Sequence, residues 1–158
     1  MKLVVSDTSP LNYLILIQAE AILPALFGLI LVPAEVIEEL SNKNTPLEVH
    51  SWIKSRPEWV RVVSGEPARF PLLGPGEAAA LSIAIDRDAQ LLVDELEARQ
   101  IANSLGVETI GTVGVLAEAH LKSMLDFDQA MAALRQTTFR VHGSIIEAAK
   151  ERIRQRRS

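Results

Sequence analysis

Two aspartates follow two short apolar runs: Asp7 after Leu3-Val4-Val5-Ser6, and Asp94 after Leu91-Leu92-Val93. Two glutamates stand in helical contexts. Glu39 comes late in the segment VPAEVIEEL, beside Glu35 and Glu38, and Glu77 follows Gly74-Pro75-Gly76. Carboxylates gathered in one place repel each other unless a cation neutralises them or a proton is shared. Hard oxygen ligands without His or Cys select Mg²⁺ or Mn²⁺, ions that keep several waters and commonly serve phosphate chemistry. Each acid also has an ordinary structural use. Asp7 can cap its own turn, Asp94 can cap the next helix, and Glu77 suits a helix N-terminus through the macrodipole. Glu38 and Glu39 are adjacent, so at most one of them faces a site. No single acid is a strong signal; the joint arrangement is.

Other chemistries have less support. His50, His120 and His142 show no HExxH-like spacing, and an aspartyl-nucleophile phosphatase wants a second Asp where Ser9 stands. Neither GxxxxGK[ST] nor GxGxxG follows a strand, so familiar nucleotide sites are unsupported. Ser6, Thr8 and Ser9 lack a His at informative spacing for a serine hydrolase. The chain has no cysteine, which removes thiolate zinc sites and cysteine nucleophiles. Aromatic residues are 4% of the chain, too few for a base-stacking platform. Sixteen basic against 20 acidic residues give a net charge of −4, which leaves room for a local basic patch but not for a wholly basic surface.

These acids need a scaffold. At 158 residues the chain is one domain's length. Lys2–Ser6, Leu29–Val32, Trp59–Val63, Leu91–Val93 and Val107–Ile110 read as strands, several apolar on both faces as central parallel strands are. Between them lie helical stretches: Ser9 at an N-cap with Pro10 at N1 and a run to about Ala19, then Ala21–Phe27, Pro33–Leu40 and Pro46–Ser55. Ser64–Gly76 is a Gly- and Pro-rich loop. Glu77–Ile85, Leu96–Leu105, Thr112 to about Lys122, Phe127–Arg135 and Ile145–Arg156 are helices. Strands alternating with helices predict an α/β fold, a three-layer α/β/α sandwich around a mostly parallel sheet with the first strand central. The site then lies outside the carboxyl ends of the strands, where Asp7 and Asp94 open into one cleft. Leu11–Val32 is broken by Asn12, Gln18, Glu20 and Pro24, and a single Lys2 precedes Asp7, so no membrane span or signal peptide is expected and the protein is placed in the cytoplasm. Leu11–Phe27 carries more apolar residues than one buried helix face needs, which predicts burial between subunits of a homodimer.

The stretches VVSDTSPLNYL, VPAEVIEEL, GPGEAAALSIA and LLVDELEARQIANSLGVETIGTVGVL resemble a PIN-like domain, and more narrowly a prokaryotic branch related to VapC-type toxins. The resemblance runs from Met1 to about Phe139; taken with it, residues 1–158 form one PIN-like domain with a helical C-terminal extension from about residue 140. It implies a Mg²⁺- or Mn²⁺-dependent ribonuclease, often the toxin of a toxin–antitoxin pair, with RNA, a cognate antitoxin and a second copy of the chain as partners. Carried over, the catalytic acids are Asp7, Glu39, Glu77 and Asp94, with Asp7, Asp94 and Glu77 at the metal. Thr8 and Ser9 would support a metal-bound water or an acidic side chain. VapC-type chains carry a further Asp two residues after the acid at Asp94. Here Leu96 stands there, flanked by Glu95 and Glu97 as substitutes. Arg99, one turn into the following helix, would reach a phosphate, and Lys150, Arg152, Arg154, Arg156 and Arg157 give the tail a positive excess. Two other readings stay open: a catalytically inactive PIN-like module that binds RNA or protein, and a metal-dependent phosphatase of small molecules.

Overall fold

The computed structural model describes residues 2–157, without the side chain of Arg157, so that member of the basic tail lies outside the described residues. In chain order the elements are β1 (Val4–Ser6), α1 (Thr8–Leu16), α2 (Ile22–Phe27), β2 (Ile30–Pro33), α3 (Ala34–Leu40), α4 (Leu47–Lys54), β3 (Val60–Val63), a 3₁₀ turn at Pro67–Arg69, α5 (Pro75–Asp86), β4 (Gln90–Leu92), α6 (Leu96–Ser104), β5 (Thr109–Ile110), α7 (Thr112–Leu121), α8 (Phe127–Arg135) and α9 (Gly143–Arg157). The sheet has five strands in the order β3-β2-β1-β4-β5, with β1 in the middle as expected. Every pairing is parallel, and Ser6 lies opposite Leu92.

The strands are apolar on both faces because both faces are covered, and the pleat sorts their side chains. Val4, Ile30, Val32 and Leu92 join the core built with α1, α2, α4 and α7 to α9. Val5, Leu31, Leu91 and Val93 point the other way, into the core shared with α5 and α6. The result is the expected three-layer α/β/α sandwich.

Four expectations are corrected. Helix α1 begins at Thr8, not after Ser9, and Asp7 occupies the N-cap position without a side-chain capping bond. Ser9 cannot cap because its hydroxyl is drawn to the Asp94 carboxylate, 2.6 Å away. The helix also stops at Leu16, since Gln18 turns into the left-handed region with φ 59°. Inside the predicted loop, α5 starts at Pro75 behind the N-cap Gly74, the first-turn position where proline's missing N–H costs nothing.

Much of the apolar excess of Leu11–Phe27 is covered within the chain, with Ile17 and Leu26 left partly buried. Leu11, Leu14, Ile15, Ile22 and Leu23 are all buried, and α1 and α2 pack on α4 and α7. The basic tail is likewise mostly committed: Arg152 and Arg156 both pair with Glu118 of α7, Arg154 with Glu151 and Lys150 with Glu147.

Candidate active site

Parallel order sends β1 and β4 out of the same edge of the sheet side by side, and the Asp7 N–H donates to the Leu92 carbonyl at 2.9 Å. Asp7 thus leaves the middle of the sheet directly into a cleft of about 400 Å³ lined with Thr8, Ser9, Asn12, Tyr13, Glu39, Gly74 and Glu77. Asp7, Glu39 and Glu77, from the end of β1, from α3 and from α5, meet only because strand order 3-2-1-4-5 sets the carboxyl ends of the strands side by side.

Each acid is held differently. Asp7 is 5% exposed, and its Oδ1 is buried with no hydrogen-bond partner. Burial pushes its carboxyl up from 3.8 to about 7, and Glu77, Glu39 and Asp94 add to the rise against an opposing hydrogen bond from the Thr8 backbone. Glu39 reaches in from the exposed end of α3. Its Oε2 accepts from the Thr8 hydroxyl, and its Oε1 from the Gly76 N–H at 3.0 Å. That second bond needs glycine, because a methyl at Gly76 would stand 2.7 Å from the same oxygen. Glu77 accepts from the Gly74 N–H at 3.3 Å, the half of a capping box that a glycine N-cap permits. Burial raises its pKa as well, opposed by that bond and reinforced by Glu95, Glu39 and Glu97.

Asp94 stands behind the cleft, one hydroxyl away. Its Oδ2 accepts from Ser9 at 2.6 Å and from Thr112 Oγ1 at 2.7 Å, while Oδ1 accepts from the Thr112 N–H at 2.7 Å. It serves the N-terminus of α7, so the capping role predicted for it at α6 falls to Glu95, whose Oε2 accepts from the Ala98 N–H at 2.9 Å. Asp94 lines a neighbouring groove with Glu95, Leu96 and Arg99 instead of the cleft itself. Glu97 and Glu38 are exposed. Asn12 and Tyr13 are cleft residues that the sequence reading did not single out. They lie one turn beyond Thr8 and Ser9 on the same helix, and the i, i+4 spacing from Thr8 to Asn12 was the available signal. Tyr13 is fixed edge-on against Phe139 at 5.0 Å, its hydroxyl 2.9 Å from Thr138 Oγ1.

Among the described residues, no three of these carboxylates converge as a closed metal cage would require. The reason is visible in the bonds above: Glu39 and Asp94 have both oxygens engaged by protein donors. The donor set nonetheless fits a hydrated hard cation. It is all oxygen, and it contains a buried carboxylate oxygen left without a partner. Asp7 would hold such an ion directly, with Glu39, Glu77 and Asp94 reached through water.

Among curated proteins none matches the chain at a significant level. Among solved structures, the chain is similar to a PilT N-terminus domain protein from the hyperthermophilic archaeon Sulfolobus solfataricus P2, at 15% identity and a TM-score of 0.48, over 89% of this chain and 99% of that one. The DUF3368 family, a family of PIN domains, matches residues 3–155 and therefore takes in every strand, the acidic cleft and nearly all of α9. By that match over almost its whole length, the chain belongs to the DUF3368 family of PIN domains, within a nuclease superfamily.

Proposed function

We propose that the chain is a metal-dependent ribonuclease that hydrolyses RNA phosphodiesters at the acidic cleft. The observation that carries the reading is Asp7: a buried carboxylate whose Oδ1 has no partner, raised to about 7 and facing three further acids across the strand ends. A structural aspartate at a helix N-cap would accept from the N–H of the second or third helical residue, and this one makes no such capping bond. When bound, Mg²⁺ or Mn²⁺ supplies Lewis acidity, lowering the pKa of water and offsetting charge on the phosphoryl oxygens. The chain's own residues do the rest. Thr8 holds the Glu39 carboxylate and Ser9 the Asp94 carboxylate, so the acids keep their places when the cleft is empty of countercharge. Glu77, with one oxygen on Gly74 and its pKa raised, takes the proton of the attacking water.

A role as the toxin of a toxin–antitoxin pair belongs to the same reading, as does assembly with a cognate antitoxin or into a homodimer. Leu72, Leu47 and Leu96, 83%, 74% and 64% exposed, are apolar surface that such partners would cover. Among the described residues no helix is long and apolar enough to cross a membrane, which accords with an RNA substrate in the cytoplasm.

The test uses purified protein, Mn²⁺ and a panel of structured and single-stranded RNAs. Asp7→Asn and Asp94→Asn abolish cleavage with the fold intact, and Glu38→Gln on the exposed side of α3 leaves it unchanged. Cleavage undiminished in Asp7→Asn sinks the reading. A second reading, an inactive module that binds RNA or protein, is favoured by Leu96 standing where VapC-type chains carry an acid, and by the full engagement of both Asp94 oxygens. A calorimetric Mn²⁺ titration separates the two, because the module has no need to bind the ion.

A further inference from the structure

Every side-chain donor on the wall of the acidic cleft is already spent, with one exception. The Thr8 hydroxyl donates to Glu39 and the Ser9 hydroxyl to Asp94. The Tyr13 hydroxyl is paired with Thr138 Oγ1 at 2.9 Å. Among the described residues no Lys, Arg or His lines the cleft. That leaves the Asn12 carboxamide, half-buried on the same wall as Asp7 and Glu39 and engaged by no hydrogen bond among the described residues.

Asn12 has no structural use that would account for it. It stands inside α1 next to Leu11, with Leu14 and Ile15 beyond it, all three committed to the core. Asparagine is a poor residue for a helix interior, because its amide competes for nearby backbone groups. Here it takes no backbone partner, and the N-cap of α1 is Asp7. The helix therefore carries a polar side chain that gives it nothing, and presents that side chain to the cleft.

The chemistry of the cleft gives the amide a use. A phosphodiester is an anion, and here it must approach the carboxylates of Asp7, Glu39 and Glu77. A lysine or arginine on the wall would attract the diester but would also compete with a divalent cation for the same carboxylates. A neutral amide donates to an anionic oxygen and leaves the cation its place. We infer that the Asn12 amide N–H donates to a non-bridging oxygen of the phosphodiester held at the cleft, which makes Asn12 a substrate-binding residue. The inference rests on the nuclease reading, since it takes a phosphodiester to be what the cleft receives. A bond from Asn12 to the hydration shell of the ion is the competing use of the same amide. The two differ in what loss of the amide does to the ion.

The experiment follows the phosphorus resonance of dimethyl phosphate, a diester with no good leaving group. The full chain is kept in excess over Mn²⁺, so that paramagnetic broadening reports diester held beside the protein-bound ion. Mn²⁺ affinity is measured separately by calorimetry. Asn12→Ala puts the better helix former at this position, so folding is not at stake. It weakens diester binding about ten-fold, the loss of one hydrogen bond to a charged acceptor, and leaves Mn²⁺ affinity at the parent's value. Asn12→Asp keeps the shape, removes the donor and adds a charge; it weakens the diester further and holds the ion at least as tightly. Asn12→Gln restores part of the diester binding. Diester binding at the parent's level in Asn12→Ala overturns the inference. So does a parent that binds Mn²⁺ and no diester, or a folded Asn12→Ala protein that loses ion and diester together. Those outcomes leave the nuclease reading standing, whereas a parent that takes up no Mn²⁺ removes that reading and the inference with it.

Discussion

Asp7 is buried, lacks a partner for Oδ1, and carries a pKa lifted from 3.8 to about 7. An acid with a higher pKa in the folded chain than in the unfolded one holds its proton more tightly when folded. Its contribution to stability is complete below the unfolded value and is lost as pH rises through the folded one. In chelator, the melting temperature of the parent is therefore expected to fall between about pH 4 and pH 7, by up to several kcal/mol of stability. Asp7→Asn flattens that slope and is the more stable protein above pH 7. Added Mn²⁺ raises the parent's melting temperature most at the upper end of the range, where the carboxylate is ionised. Thermal denaturation across pH, with and without the ion, decides the matter; an Asp7→Asn slope equal to the parent's would mean that another group carries the effect.

Between elements, the cleft is tied together by short polar bonds that cross long stretches of sequence. Helix α1 holds α3 through Thr8 and Glu39 and β4 through Ser9 and Asp94; α5 holds α3 through the Gly76 N–H. Gly76 is the joint where this can be tested with little harm to the fold. A methyl there stands 2.7 Å from Glu39 Oε1, the free end of a flexible side chain that can swing aside. Gly76→Ala is expected to cost no more than about 1 kcal/mol in stability, the ordinary scale of a point substitution. It displaces the Glu39 carboxylate, weakens Mn²⁺ binding and slows cleavage. Mn²⁺ affinity at the parent's value in a folded Gly76→Ala protein would show that Glu39 plays no part at the ion.

Across the whole molecule, α9 is built into the sandwich and does not trail from it. Ala149 and Ile153 are buried in the same core as β1 and α7, and Arg152 and Arg156 clasp Glu118. The helix also lines, through Ile145 and Arg152, a surface hollow beside Arg99 and Gly111. Truncation before Gly143 is expected to remove roughly 2–5 kcal/mol of stability through lost apolar burial alone. It should expose α7 and leave a protein that melts lower and less sharply. A truncated chain with the parent's melting curve would make α9 an appendage.

The layered fold was legible because its signals are local. Runs such as Leu91-Leu92-Val93, apolar at every position, can only be strands covered on two sides, and their alternation with helices leaves a parallel sheet as the ready solution. The same rule located Asp7 and Asp94 at strand ends. What sequence could not decide is what each side chain does once neighbours arrive. Ser9 looks like a cap and instead holds Asp94; Asp7 sits at the cap position and makes no side-chain capping bond. Much of the apolar excess of α1 and α2, which reads as a subunit interface, is covered by α4 and α7 within the chain. The basic tail reads as a patch until Glu118 is found opposite it. Periodicity and strand-end position are properties of a few consecutive residues, so the chain itself determined them. Pairing of a carboxylate with a hydroxyl 85 residues away is a property of the packed layers, and only the tertiary structure decided it.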